Sequence, residues 1–217
     1  MTHVMPSHVH LGDPAPAFVV PAVHEERTIS LEDYRGSTPL LLGLFPGLYC
    51  PFCRRALAQM ASTAEALKPL GVASLAIVGT ELDNARLYFR FRPTRLAMGA
   101  DPQLATHRSY GVPRPEPTPE LMEQIATMRI NPTGELPEPM PIQPAAQLLN
   151  QRDRFQPTAT DQREAQSTFT QMKGQFLIAR DGTVRWVNFE CGREGLSGLG
   201  KFPPQEELLA ASRSVID

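Results

Sequence analysis

"PLLLGLFPGLYCPFCRRALAQM", residues 39–60, holds two different periodicities side by side. Pro39 to Phe45 is apolar without alternation, the pattern of a strand covered on both faces at the centre of a parallel sheet. A helical period takes over from Pro51. Cys53, Leu57, Met60, Ala64 and Leu67 recur at steps of four and three and draw one apolar stripe. Pro69 stands near the end of that helix, expected to run to about Leu70, and Gly71 just past it. A buried strand thus feeds directly into a helix, and Cys50 and Cys53 straddle the joint.

The same reading extends in both directions. "VASLAIVG" (72–79) is a second buried strand, "LDNARLYFRFRP" (82–93) a helix stopped at Pro93, and "RLAMGAD" (95–101) a third strand. "PQLATHRSYG" (102–111) is a short helix capped by Asp101. Upstream, "AFVVPAV" (17–23) is a strand suited by Pro21 to a sheet edge, and "RTISLEDYRG" (27–36) alternates and then makes a short turn or helix ending at Gly36. Residues 1 to about 15, with His3, His8 and His10, read as a loose lead-in.

Residues 112–172 differ in composition, with proline dense from Pro113 to Pro144. They read as a long insertion over the surface, with helices at 120–129 and 161–172. "QFLIA" (175–179), a turn at Arg180-Asp181-Gly182 and "TVRWVNFE" (183–190) then form a β-hairpin. A glycine-rich loop (191–204) and a final helix from Pro204 close the chain. Strand, helix, strand, helix, hairpin, helix implies an α/β fold: a mixed sheet with helices on both faces, one domain over 1–217. In such sheets ligands bind at the carboxyl ends of the parallel strands, where the cysteines sit.

Bulk properties exclude several classes. The 217 residues are 41% hydrophobic and 20% charged with a net charge of -2, so no basic excess points to nucleic acid or an anionic membrane. The longest apolar run, Pro39 to Leu48, is too short to span a bilayer, and the N-terminus lacks a secretory pattern. The expected location is cytoplasmic. Three cysteines do not make a disulfide framework, and a C-x-x-C pair in a reducing compartment points to redox chemistry or metal binding.

The helix start explains how the pair acquires reactivity. A thiolate, not a thiol, is the nucleophile, and a free cysteine titrates near ~8.5. With Cys50 as N-cap and Pro51 as N1, Cys53 falls at N3. Both sulfurs then lie beside unpaired N–H groups at the positive end of the helix dipole, with Arg54 and Arg55 following. Cysteines in such places titrate at roughly 3.5–7.5. Cys53 begins the apolar stripe and faces inward, while Cys50 is the more exposed.

"LGDPAPAF" (11–18), "PLLLGLFPGLYCPFC" and "KGQFLIARDGTVRW" together resemble the peroxiredoxin branch of the thioredoxin-like fold, the alkyl-hydroperoxide-reductase/thiol-specific-antioxidant (redoxin) group. The resemblance covers residues 11–111 and 173–191 and leaves the insertion outside. It implies a thiol-dependent enzyme, an antioxidant reducing peroxides. In the family's Pro-x-x-x-(Thr/Ser)-x-x-Cys pattern Pro46 matches and shields the site, Cys53 takes the attacking place, and Cys50 replaces the hydroxyl residue. The family's activating arginine falls to Lys173 and the following threonine to Gln175. Lysine keeps the charge without the planar fork of donors.

The Cys-Pro-Phe-Cys pair also resembles glutaredoxin, and that pattern makes Cys50 the attacker and Cys53 the resolver. Thiol–disulfide exchange therefore stays open beside peroxide reduction, as does a redox sensor or binding module without turnover. In each case the implied working group is a Cys50–Cys53 disulfide, with no other cofactor and no metal. The implied partners are a peroxide or disulfide and a thiol reductant such as thioredoxin, glutaredoxin or glutathione, with a homodimer as the candidate assembly. Structural zinc needs four ligands, and nothing in the spacing of Cys191 and His107 makes them the missing two. Cys191, at the end of a core strand, is either packing or a further redox cysteine. Arg54 and Lys173 are the candidates for stabilising negative charge; Tyr49 and Leu48 are either an apolar lip or core.

Overall fold

The computed structural model describes residues 8–216, so His3 lies outside the described residues. A five-stranded mixed sheet forms the centre. Its strands are β3 (Leu40–Phe45), β4 (Ala73–Val78), β5 (Ala97–Ala100), β8 (Gly174–Ile178) and β9 (Val184–Phe189), in the order β5-β4-β3-β8-β9. β3 pairs parallel with β4 and antiparallel with β8, and every one of its residues is buried. This is the two-sided burial that the unbroken apolar run requires.

Alternate residues of β3 serve two cores. Leu41 and Phe45 join Leu57, Met60 and Leu67 of α1 (Pro51–Leu67), Ala85 and Phe89 of α2 (Leu82–Phe91), and Leu208 and Val215 of α7 (Gln205–Ile216). Leu40, Leu42 and Leu44 face the opposite way, toward Phe18, Val20, Ile29, Leu31 and Tyr110. That second face is closed by the ribbon of β1 (Val19–Pro21) and β2 (Thr28–Ser30) and by Tyr110, just after α3 (Ala105–Ser109). α1 ends with its stripe at Leu67, three residues before the expected end at about Leu70. Lys68–Leu70 is a 3₁₀ turn that carries Pro69, and Gly71 follows at φ 74°, a left-handed stop. α3 begins at Ala105, later than expected, with Leu104 rather than Asp101 as its N-cap; the Asp101 carboxylate still accepts from the Thr106 N–H at 2.7 Å.

Two expectations need correction. The lead-in is not loose over residues 8–15. Val9 and Ala15 are buried, and Gly12 and Ala15 donate N–H bonds to Val184 and Gly182, both at 2.8 Å. These backbone bonds and the burial of Val9 and Ala15 hold the segment along the hairpin. The insertion is also more regular than its prolines imply. It contains α4 (Pro119–Thr127), the paired strands β6 (Arg129–Ile130) and β7 (Met140–Pro141), α5 (Ile142–Arg152) and α6 (Ala159–Ser167). α5 has no counterpart in the sequence reading, and α6 stops five residues short of its expected end. Pro119 and Pro144 lie in first turns, where the missing N–H costs nothing.

Candidate active site

The joint between β3 and α1 presents the cysteines. Cys50 is the N-cap of α1 with extended backbone, φ −82° and ψ 118°, and Pro51 occupies N1. Cys53 is buried and Cys50 partly exposed; neither is in a disulfide. Cys50 makes no capping hydrogen bond of ordinary geometry. The Cys53 thiol nevertheless favours the Cys50 anion most; burial opposes it, and the Lys173 charge and the Cys53 N–H favour it, bringing Cys50 down to about 7. The same thiol contact and burial hold Cys53 well above the ordinary thiol range. When the pair gives up its first proton, the outer sulfur is the one favoured to carry the charge.

Behind the pair stand Lys173 and Glu190. Lys173, at the foot of β8, is 1% exposed, and its ammonium donates to Glu190 Oε1 at 2.6 Å. Burial alone would lower Lys173, but Glu190 and then the two sulfurs raise it above its ordinary value. It stays charged. Lys173 thus stands where the resemblance puts the activating arginine, whereas Gln175 turns to Asn188, accepting at 2.7 Å.

A cavity of about 250 Å³ opens over Cys50 and Cys53. Pro46, Tyr49, Phe52, Lys173 and Glu190 come from the sheet domain, and Ile125, Ile142, Ala146, Ala165 and Phe169 from the insertion. The insertion is therefore a wall of the site. Phe52, between the two cysteines, is its peg: it packs with Ile130, Leu136, Ala145 and Leu149 in a separate small core. Leu48 is fully buried. Tyr49 lines the cavity, and its hydroxyl meets Thr168 Oγ1 at 2.9 Å, beyond the end of α6.

Arg54, expected to stabilise negative charge at the pair, is buried with its guanidinium bonded to backbone carbonyls and to the insertion instead. It donates to the Leu48 carbonyl at 2.9 Å, to the Tyr49 carbonyl at 3.2 Å, to Asn150 Oδ1 at 2.6 Å and to Asp153 Oδ2 at 2.8 Å. The Phe155 ring stacks 4.0 Å from its centre. Arg55 grips the same carboxylate at 3.0 Å and Glu135 at 3.0 Å. Burial would raise Asp153, but hydrogen bonds from Arg55 and Arg54 hold it below the ordinary carboxylate value. Arg54 ties the carbonyls of the loop that carries Cys50 to the insertion.

A second polar latch lies at α6. Glu164 Oε1 accepts from the Thr80 hydroxyl at 2.8 Å and the Glu81 N–H at 3.2 Å, while Oε2 is buried without a partner. Burial is the main cause that lifts Glu164 from 4.5 to about 7, against the lowering effect of those two bonds. The fold therefore holds the proton more tightly than the unfolded chain. That contribution is complete below 4.5 and is lost as the pH rises through about 7. Urea midpoints of the wild type should fall across this window, and Glu164→Gln should flatten that part of the slope. An unchanged slope in the variant would remove Glu164 as the source.

Cys191 does not share the cavity of the pair. It opens into a neighbouring one beside Arg193, Lys201 and Glu207, and burial pushes its thiol up to about 11. His107 is fully buried with neither ring nitrogen hydrogen-bonded, and it is absent from the walls of both cavities. Among the described residues no group of three or more His, Cys, Asp or Glu side chains is placed to hold a metal ion.

The comparisons with known proteins agree with this architecture. The model of the AhpC/TSA family matches residues 11–187, from the start of the N-terminal segment into β9. The chain belongs to the AhpC/TSA family. This family match spans the insertion as well as the segments whose residues carry the resemblance. Among solved structures, peroxidoxin BcpB from Mycobacterium tuberculosis is similar at a TM-score of 0.57 and 13% identity, over 96% of this chain and 99% of that one. A candidate thiol:disulfide interchange protein DsbE from Chlorobium tepidum gives 0.56 and 18%, over 96% and 99%. A peroxiredoxin-like protein from Aquifex aeolicus gives 0.57 and 13%, over 97% and 90%. At these identities the likeness shows the thioredoxin-like fold. A search of curated proteins finds no match to this chain. Membership of the AhpC/TSA family supports a thiol-dependent redox function.

Proposed function

We propose that this AhpC/TSA-family chain is a thiol oxidoreductase that reduces small peroxides through a Cys50–Cys53 cycle. The observation that carries the assignment is the asymmetry of the pair: Cys50 is partly exposed at the helix cap with its anion favoured, and Cys53 is buried beneath it with its thiol favoured. The Cys50 thiolate attacks the terminal peroxide oxygen, the O–O bond breaks, and the departing alkoxide takes up a proton. Cys50 becomes a sulfenic acid. Cys53, three residues along the same helix, displaces water from it to form the disulfide. A thiol reductant of the thioredoxin, glutaredoxin or glutathione kind returns two electrons and two protons. These roles reverse the peroxiredoxin register, in which Cys53 attacks.

Two features support a peroxide over a protein disulfide as oxidant. The cavity over Cys50 is about 250 Å³, the size of a small molecule, and the insertion forms one of its walls. Lys173 supplies a fixed positive charge beside the developing alkoxide. The second reading, thiol–disulfide exchange, is favoured by the same exposed Cys50 and by the absence of the family's hydroxyl and arginine. Reduced protein mixed with one equivalent of hydrogen peroxide or of cumene hydroperoxide, quenched over time and weighed by mass spectrometry, tests the proposal. The expected product is a chain lighter by two hydrogens, with Cys50 and Cys53 joined. Formation of that disulfide with glutathione disulfide but with neither peroxide would leave exchange as the activity.

A further inference from the structure

Lys173 and Glu190 form a buried ion pair on the wall of the cavity that holds both sulfurs. Besides the ammonium at 2.6 Å, Glu190 accepts from the Lys173 N–H at 3.0 Å and from the Gly200 N–H at 2.7 Å. The charged groups on its far side pair elsewhere, Arg193 with Glu207 at 2.6 Å and Lys201 with Glu194. Among the described residues Glu190 therefore has one counter-ion, and after Glu190 the groups that act most on the Lys173 charge are the two sulfurs. A buried ion pair contributes little net stability relative to apolar residues of the same size, so stability does not account for it.

The electrostatics give it a different task. A lone ammonium beside Cys50 would strongly favour its thiolate. A carboxylate held against that ammonium weakens the attraction while fixing the position of the charge. We propose that Glu190 is a positioning residue that sets the redox poise of the Cys50–Cys53 pair, holding Lys173 beside the sulfurs and cancelling part of its charge. The inference rests on the two-cysteine reading above, since poise matters to a pair that cycles.

The reaction concerned is the exchange of the Cys50–Cys53 disulfide with two glutathione thiols, giving the dithiol and glutathione disulfide. The S–S bond of the pair breaks, that of glutathione disulfide forms, and two electrons and two protons pass to the pair. The more its thiolate is stabilised, the more oxidising such a pair becomes. Glu190 thus biases the pair toward keeping its disulfide.

The test uses the full chain with Glu190→Gln, which preserves the shape and removes the charge. Its dithiol–disulfide equilibrium with glutathione is expected to shift at least about tenfold toward the dithiol, about 30 mV for a two-electron couple. In a Cys53→Ser background its Cys50 thiolate, followed by ultraviolet absorbance, is expected to form at lower pH. A merely structural role would lower the melting temperature and move neither reading, and a folded variant with both unchanged would overturn the proposal. Should Glu190→Gln not fold, Lys173→Met is compared with Lys173→Met/Glu190→Gln, which carries neither charge. The thiolate should form at lower pH in the double variant than in the single one, and identical titrations would overturn the proposal. If the wild type forms no Cys50–Cys53 disulfide with any oxidant, the two-cysteine reading fails, while the thiolate titrations still decide the role of Glu190.

Discussion

Replacing Cys50 by serine is expected to slow the reaction with peroxide by about three orders of magnitude or more, whereas Cys53→Ser should still react once per chain. Serine at Cys50 loses the thiolate altogether, because a hydroxyl there does not ionise near neutral pH. Serine at Cys53 leaves the sulfur of the partly exposed Cys50 in place and removes only the group that condenses with it. Cys53→Ser should therefore accumulate a sulfenic acid on Cys50, trapped by dimedone and located by peptide mass, and should fail to turn over. With its thiolate forming near about 7, the rate constant for Cys50 should rise with pH through that value and then level. The opposite pattern, a dead Cys53→Ser and a reactive Cys50→Ser, would return the attack to Cys53 as the peroxiredoxin register has it.

The division between what the sequence revealed and what it concealed follows the range of the interactions. β3, α1 and the cysteines at their joint were legible because local periodicity and a helix start determine them. Lys173 could be placed by its position in "KGQFLI". Glu190 could not, because its pairing depends on a register shift between Leu177 and Ile178, where Ile178 faces Val184 but Leu177 faces Trp186. An unbroken ladder from Ile178 opposite Val184 would bring Phe189 to Lys173. The extra residue on β9 brings Glu190 there instead, with its N–H donating to the Lys173 carbonyl at 3.0 Å. α5 was hidden for another reason: Ile142, Ala145, Ala146 and Leu149 have helical spacing, but Pro141 and Pro144 read as breakers when one is the N-cap and the other lies in the first turn. Their packing against Phe52 is a contact about ninety residues away in sequence, and no local signal carries it.

Arg54 shows how such a long-range contact can dominate stability, and Arg54→Ala is expected to destabilise the chain by about 2–4 kcal/mol. The substitution strips the donors from the Leu48 and Tyr49 carbonyls and from Asn150, and it removes the cation over Phe155. Each unsatisfied buried acceptor costs about 1–3 kcal/mol, although relaxation and entering water recover part of the sum. Asp153 is less affected, because Arg55 retains both of its carboxylate oxygens at 3.0 Å. Arg55→Ala is the internal control: it gives up its own bonds to Asp153 and a more exposed pair with Glu135 but leaves Arg54 on Asp153, for an expected loss of about 1 kcal/mol. Arg54→Lys should resemble alanine more than arginine, since one ammonium cannot span two carbonyls, an amide and a carboxylate. Urea unfolding gives the stabilities, and limited proteolysis within residues 112–172 reports the docking of the insertion. Accelerated cleavage there in Arg54→Ala but not in Arg55→Ala is the expected signature, because the arginine beside the cysteines joins the redox loop to the insertion that walls its cavity. Equal stability loss and equal cleavage in the two variants would deny Arg54 that task.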